Sequence, residues 1–262
     1  MAKIPAIYAR YADNILLGVT PTGTAPSTSY SLATLASLNP AARVKWGVKT
    51  VTITFTISSA QGDILVLPMH NLDPGASVLT LTNGAGFSQA ITIPALQANG
   101  LPPTVVVDLT LLAGTRTSTV WNLVIINNSV NVTLGGCIAI YGPKRSLTGI
   151  AASDNFALEY HERETANVLE TANEYGTPYL QDYETVNRQV DVVINGNASW
   201  STIRDWFRSN HGRARPSLFW PDPNVVDGYF GRWQPTFDVD HRLPSYHPIT
   251  LTFDEWPKGK PA

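Results

Sequence analysis

The sequence predicts a mainly β protein: an N-terminal β-sandwich of the jelly-roll kind, followed by a small α+β barrel with one packed helix. Three observations predict it. Residues 1–149 are a succession of short apolar or alternating runs separated by Asn, Gly and Pro, with no stretch of convincing helical period. One stretch in the second half does carry helical spacing, and strands flank it on both sides. Composition also changes near residue 150. The first 149 residues contain no glutamate and hold eight Lys/Arg against four Asp, while the remainder holds ten Lys/Arg against sixteen Asp/Glu. The Gly-, Pro- and Ser-containing stretch GPKRSLTGIAASDN marks a boundary between domains 1–149 and 150–262.

The strands of the first domain follow from their patterns. VKTVTITFTIS (48–58) sets Val51, Ile53, Phe55 and Ile57 against threonines with period two, as a half-buried strand requires. DILVLPM (63–69) is continuously apolar, which predicts burial on both faces. SVLTLTN (77–83), QAITIPA (89–95), PTVVVDLTLL (103–112), STVWNLVIIN (118–127) and VTLGGCIAIYG (132–142) complete the set. Short strands at this spacing make a sandwich or jelly roll.

In the second domain, RETANVLETANEYGTPYLQDYETVNR (163–188) is polar and ambiguous, and RQVDVVING (188–196) is a strand. Trp200, Ile203, Trp206 and Phe207 then fall on one face of a helix, with Asn197 or Ser199 to cap its start and Gly212 to end it. PSLFWPDP is a strand stopped by Pro221 and Pro223. GYFGRWQPTFDVD (228–240) and HPITLTFDEW (247–256) alternate again.

Composition narrows the function. Charged residues are 15% of the chain, below the usual quarter, and net charge is −2. Neither nucleic acid nor an acidic membrane is an obvious electrostatic target. The single cysteine, Cys137, excludes an intramolecular disulfide and reads as a buried, inert thiol. The opening MAKIPAIYARYADNILLGV has no continuous apolar run, so the expectation is a protein made and folded in the cytoplasm, without membrane insertion. There is no HExxH, P-loop or GxSxG. His241 and His247 read as a turn rather than a metal pair. The scattered carboxylates Asp222, Asp227, Asp238, Asp240, Asp254 and Glu255 do not single out a glycosidase pair. No catalytic, cofactor or metal residue is assigned.

Two groups remain. Arg204, Arg208, Arg213 and Arg215 cluster about the helix end, where positive charge complements the helix dipole, and they read as a solvated face or as a subunit interface, the latter being the prediction carried forward. Their complement on another copy would be the Glu-rich stretch 159–184. Trp46, His70 and Asn71 read as a ligand rim at strand ends, though Asn71, Asp73, Pro74 and Gly75 also spell a turn. Trp220, Tyr229, Trp233 and Trp256 read as exposed aromatics or as contacts to another subunit.

These runs carry a family likeness. RQVDVVINGNASWSTIRDWFRSNHGRARPSLFWPDP resembles the barrel of bacteriophage distal tail proteins, the lambda-type minor tail proteins among them. The matching elements, in order, are Trp206-Phe207, His211-Gly212 and Leu218-Phe219-Trp220-Pro221, then VDGYFGRW and PITLTFDEW as closing strands. VLETANEYGTPYLQDYETVN precedes them, and the likeness covers about residues 165–256. The first domain resembles the galactose-binding-like jelly roll of phage virion proteins through Asn14-Ile15, Arg43-Val44-Lys45-Trp46 and His70-Asn71-Leu72. Placing the jelly roll before the barrel departs from distal tail proteins that carry their accessory sandwich after it.

The resemblance implies a non-enzymatic structural protein of the virion tail tip, assembled in the host cytoplasm. It would form a ring of its own copies joining the tail tube protein to hub or fibre proteins. The alternative is a carbohydrate-binding host-attachment protein acting on a host glycan through the jelly roll. A glycoside hydrolase is a third class.

Overall fold

The computed structural model describes residues 7–39, 42–96, 104–146, 157–172, 178–195, 204–205, 207–208, 215–220, 228–239 and 249–255. The chain is mainly β, and every strand pairing among these residues is antiparallel.

The first layer is a five-stranded sheet. Its strands are β2 (Thr22–Gly23), β4 (Thr50–Gln61), β6 (Ser77–Asn83), β7 (Ser88–Ile91) and β9 (Thr117–Asn127), in the order β2-β4-β9-β6-β7. Period two does what the sequence predicts. Val51, Ile53 and Phe55 of β4 point inward with Leu79 and Leu81 of β6 and Trp121, Leu123 and Ile125 of β9. The intervening threonines of β4 are at least partly exposed.

Facing it is a three-stranded sheet of β5 (Ile64–Leu67), β8 (Val105–Asp108) and β11 (Ala139–Tyr141), in the order β11-β5-β8. Here the continuous apolar run of β5 acquires its reason. Leu65 and Leu67 pack into the core shared with the five-stranded sheet, while Ile64 and Val66 face a second core on the opposite side. A strand with a core on each face cannot afford polar alternation.

The run 132–142, read as one strand, is two. β10 (Thr133–Gly135) pairs with β3 (Arg43–Lys45) in a separate ribbon, and the chain then steps across to β11. The step is made at Gly136 and Cys137. Cys137 holds a left-handed φ of 63°. Gly136 lies against the carbonyl oxygens of Asn39 and Thr34, where an added Cβ would collide with backbone. The stretch 103–112 is also shortened: β8 gives way to a 3₁₀ turn, Leu109–Leu111, capped by the Asp108 side chain.

The third layer is a seven-stranded sheet. It joins β1 (Ile7–Ala9), β12 (Arg145–Ser146), β13 (Ala157–Ala172), β14 (Pro178–Asn195), β15 (Ser217–Trp220), β16 (Tyr229–Val239) and β17 (Ile249–Glu255), in the order β12-β1-β15-β16-β17-β14-β13. Of the ambiguous polar run 163–188, residues 163–172 lie in β13 and 178–188 in β14, which pair antiparallel. Strands from before residue 150 complete this sheet. Tyr8 is paired with Phe219 on one side of β1 and with Arg145 on the other. Its core is shared in the same way: Ala9, Leu218, Trp220 and Phe230 pack with Ile64, Val66, Ala139 and Tyr141.

A second aromatic group ties β15, β16 and β17 together. Phe219 meets Trp233 edge-on at 5.3 Å and stacks with Tyr229 at 6.3 Å, and Trp233 meets Phe253 edge-on at 4.9 Å. Such edge and offset contacts add to the burial of large apolar area. Trp220, Tyr229 and Trp233 are all buried within the chain, which corrects their reading as exposed or intersubunit aromatics. Of the expected helix, Arg204, Asp205, Phe207 and Arg208 are helical and Phe207 is buried. Trp200, Ile203, Trp206, Gly212 and Trp256 lie outside the described residues.

Candidate functional site

Of the four arginines, the structure places three. Arg204 and Arg208 stand four residues apart in the helix, neighbours on one face. Arg208 is exposed, and so is Arg215, two residues before β15. Arg204 is half-buried, with its Nε 3.6 Å from the Asp205 carboxylate. A pair of that length on the surface contributes little to stability. Arg213 lies outside the described residues.

The proposed rim is different, and two of its three residues are corrected. Trp46 is buried, and its indole N–H donates to the Thr24 carbonyl at 2.9 Å. His70 is fully buried, and its Nδ1 accepts the Leu72 backbone N–H at 3.2 Å. Both residues build the sandwich interior and offer no face to a ligand. Asn71 is half-buried and fastens the turn to β10. Its Nδ2 donates to the Asn131 carbonyl at 2.8 Å, and its Oδ1 accepts from the Thr133 N–H at 2.9 Å. Turn chemistry is what HNLDPG encodes here. His241 and His247 lie outside the described residues. Among the described residues no cluster of three His, Cys, Asp or Glu has metal-binding geometry.

Cys137 is buried in the core shared by the second and third layers. Its thiol donates to the Ser37 carbonyl at 3.0 Å, and burial pushes its pKa up to about 12. The thiolate is the reactive form, so the native protein should react with a thiol reagent such as DTNB at neutral pH far more slowly than the urea-unfolded chain. Equal rates would contradict this placement.

Sequence reasoning missed a set of buried carboxylates. Three of the four aspartates of residues 1–149, Asp13, Asp63 and Asp108, are buried, and each receives the segment just after β11. Arg145 makes a two-pronged pair with Asp13, its Nε and Nη2 donating at 2.8 and 3.0 Å; Arg10 donates to the same carboxylate. Asp63 accepts the Lys144 backbone N–H at 2.9 Å and the Arg116 Nε–H at 3.1 Å. The Lys144 ammonium pairs with Asp108. Burial pushes the Asp13 carboxyl up, but the hydrogen bonds and charges of Arg10 and Arg145 outweigh it and hold the carboxyl below its ordinary range. The signal lay in the scarcity of acidic residues: residues 1–149 hold four aspartates and no glutamate, so few serve solubility alone.

One groove of about 340 Å³ opens where β7 and β8, both sheet edges, meet Trp220. Ile91, Pro94, Val106, Leu111 and Leu112 line it, and Asp108, its charged wall, is engaged by Lys144. This is an apolar crease with few groups to orient a sugar.

The fold and its sites thus define a mainly β protein of antiparallel sheets, with buried carboxylates in ion pairs and with Arg208 and Arg215 exposed. No protein-family model matches the chain, and no curated protein matches it. No helix among the described residues is long and apolar enough to cross a membrane.

Proposed function

We propose that the chain is a structural protein of a bacteriophage tail tip. Residues 150–262 would be a distal-tail-type barrel that assembles into a ring between tail tube and hub or fibres, and residues 1–149 a jelly roll that braces it from outside. The observation that carries this reading is the use made of the aromatic motif. Leu218, Phe219 and Trp220, which mark the resemblance in the sequence, belong to an interior strand of the third layer. Phe219 packs there with Tyr229, Trp233 and Phe253 of the strands expected to close the barrel. Aromatics spent on a core make a rigid frame, as an assembly module needs, and not a floor for stacking a substrate. The five-stranded and three-stranded antiparallel sheets of residues 1–149, which share one core, support a sandwich there. Fold does not imply function, and the burial of Trp46 and His70 weighs against the glycan-binding alternative in the form the sequence suggested.

Electron microscopy of the purified protein, alone and mixed with tail tube protein, tests the reading. Closed rings capping tube ends are expected. Persistent monomers that never decorate a tube end would overturn it, and turnover of a bacterial surface polysaccharide would move the protein to another class.

A further inference from the structure

The outer face of the five-stranded sheet carries no charge. It is built from the residues that alternate with the core: the even-numbered positions of 50–56 on β4, 78–82 on β6, 88–90 on β7 and 120–126 on β9, all half-buried or exposed. They are Thr, Val, Ile, Asn, Ser and Ala, with no Lys, Arg, Asp or Glu and no aromatic ring among them. The register sets them in rows across the strands, with Thr52 beside Val124 and Thr80, and Thr50 beside Ile126 and Val78. Val78 and Ile126 are 50% and 38% exposed. A surface in water usually holds about a quarter to a third charged residues. Here Lys49 and Arg116 stop at the margin, each immediately before its strand.

We propose that this face pairs with the same face of a second copy of the chain across a two-fold axis. A two-fold contact sets a patch against itself. A charged patch would then meet like charge, whereas threonine hydroxyls both donate and accept and so can bond to their own counterparts. Val78, Val124 and Ile126 supply apolar area between the threonines, and stiff β-branched side chains have little rotamer freedom to lose on packing. Five strands about 4.8 Å apart, up to seven residues long at about 3.4 Å each, give a face of about 400–500 Å². A pair would bury about 1,000 Å², the size of a weak, reversible contact. A sugar would find no aromatic ring to stack on and no converging polar groups. The inference stands apart from the ring reading, since single subunits or whole rings would be joined in pairs. An antiparallel sheet also serves with one face simply in water, and the test separates these roles.

The full chain is followed by sedimentation velocity up to about 0.5 mM, a range that reaches contacts of this size. The wild-type species, subunit or ring, is expected to double in mass as concentration rises. V124K and V124E, at the centre of the face, should each weaken the doubling about tenfold or more. An equimolar mixture should recover it, because Lys then meets Glu across the axis. V124C tests the geometry separately, and it decides alone if a charged variant fails to fold. With Cys137 buried, oxidation should yield a disulfide-linked pair on a non-reducing denaturing gel. L111C, on the 3₁₀ turn after β8 and 79% exposed, lies off this face and should not link. The proposal is overturned if wild type keeps one mass throughout, if both charged variants double like wild type, if the mixture stays impaired, or if V124C links no more readily than L111C. Doubling that survives V124K and V124E would place the contact elsewhere and leave the tail-tip reading untouched.

Discussion

Replacing Trp233 with alanine is expected to destabilise the protein by about 3–5 kcal/mol, the range for removing a large aromatic from a packed core. Trp233 is 2% exposed and touches Phe219 and Phe253 edge-on, so its loss leaves a cavity bounded by two rings that cannot collapse independently. The surroundings are stiff as well. Gly231, two residues earlier on β16, lies so close to the Asp254 carbonyl that an added Cβ would strike it, so β16 cannot slide towards β17 to fill the space. Urea unfolding should show a lower midpoint, and a thermal melt a fall of about 10 °C for a chain of this size. One cooperative transition is expected to persist, because Ile64 and Val66 of the second layer share a core with Leu218 and Phe230 of the third. Thr50→Ala, exposed on the outer face of β4, is the control and should stay within about 0.5 kcal/mol. A Trp233 variant as stable as this control would refute the packing described.

Substitution of Asp13 is the second large effect. Asp13 is 7% exposed and binds two arginines, one from its own turn and one from β12, so its removal leaves two guanidinium groups without their acceptor. Breaking a fully buried pair in this way costs about 3–5 kcal/mol. Arg10 and Arg145 are about a quarter and a third exposed, so water recovers part of the loss, and about 2–3 kcal/mol is expected for Asp13→Ala. The pH dependence has a definite sign. The folded-state carboxyl lies below its unfolded value, so its contribution is present in full above about pH 4. It is lost as pH falls through the folded-state pKa, where the carboxylate takes up a proton. The stability gap between wild type and Asp13→Asn should therefore be widest at neutral pH and narrow on acidification below about pH 4. A gap that stays constant from pH 7 to pH 2 would show that the charge of Asp13 contributes nothing.

Much of residues 1–149 was legible because their strands are local objects. The alternation of Val51, Ile53 and Phe55 and the uniform run Ile64–Leu67 state how many faces each strand buries, and the structure buries those faces. The break at Gly136–Cys137 was illegible, since a left-handed residue inside an apolar run changes no pattern. The pair β13 and β14 was half legible. RQVDVVING read as a strand, whereas 163–188 is polar and carries no clear period, so its element type stayed open.

The candidate site divided along the same line. A cluster of arginines near a helix end is written in the sequence, and Arg208 and Arg215 are exposed as that pattern suggests. Whether Trp46 and His70 face solvent or core was undecidable from residue type, since both residues carry an apolar body and a polar edge. Their hydrogen bonds to Thr24 and Leu72, closed inside the fold, decided it.

By itself, then, the sequence determined the class of structure, the buried faces of β4 and β5 and the change of composition near residue 150, because side-chain period and turn chemistry act over a few residues. Tertiary structure alone decided that β1 and β12 would complete a sheet with strands beyond residue 200, that β5 would serve two cores, and that three aspartates would gather the segment after β11. Those outcomes depend on which surfaces meet across large sequence separations. Burial, and the need to pair every charge taken out of water, selects among them only when the whole chain is assembled.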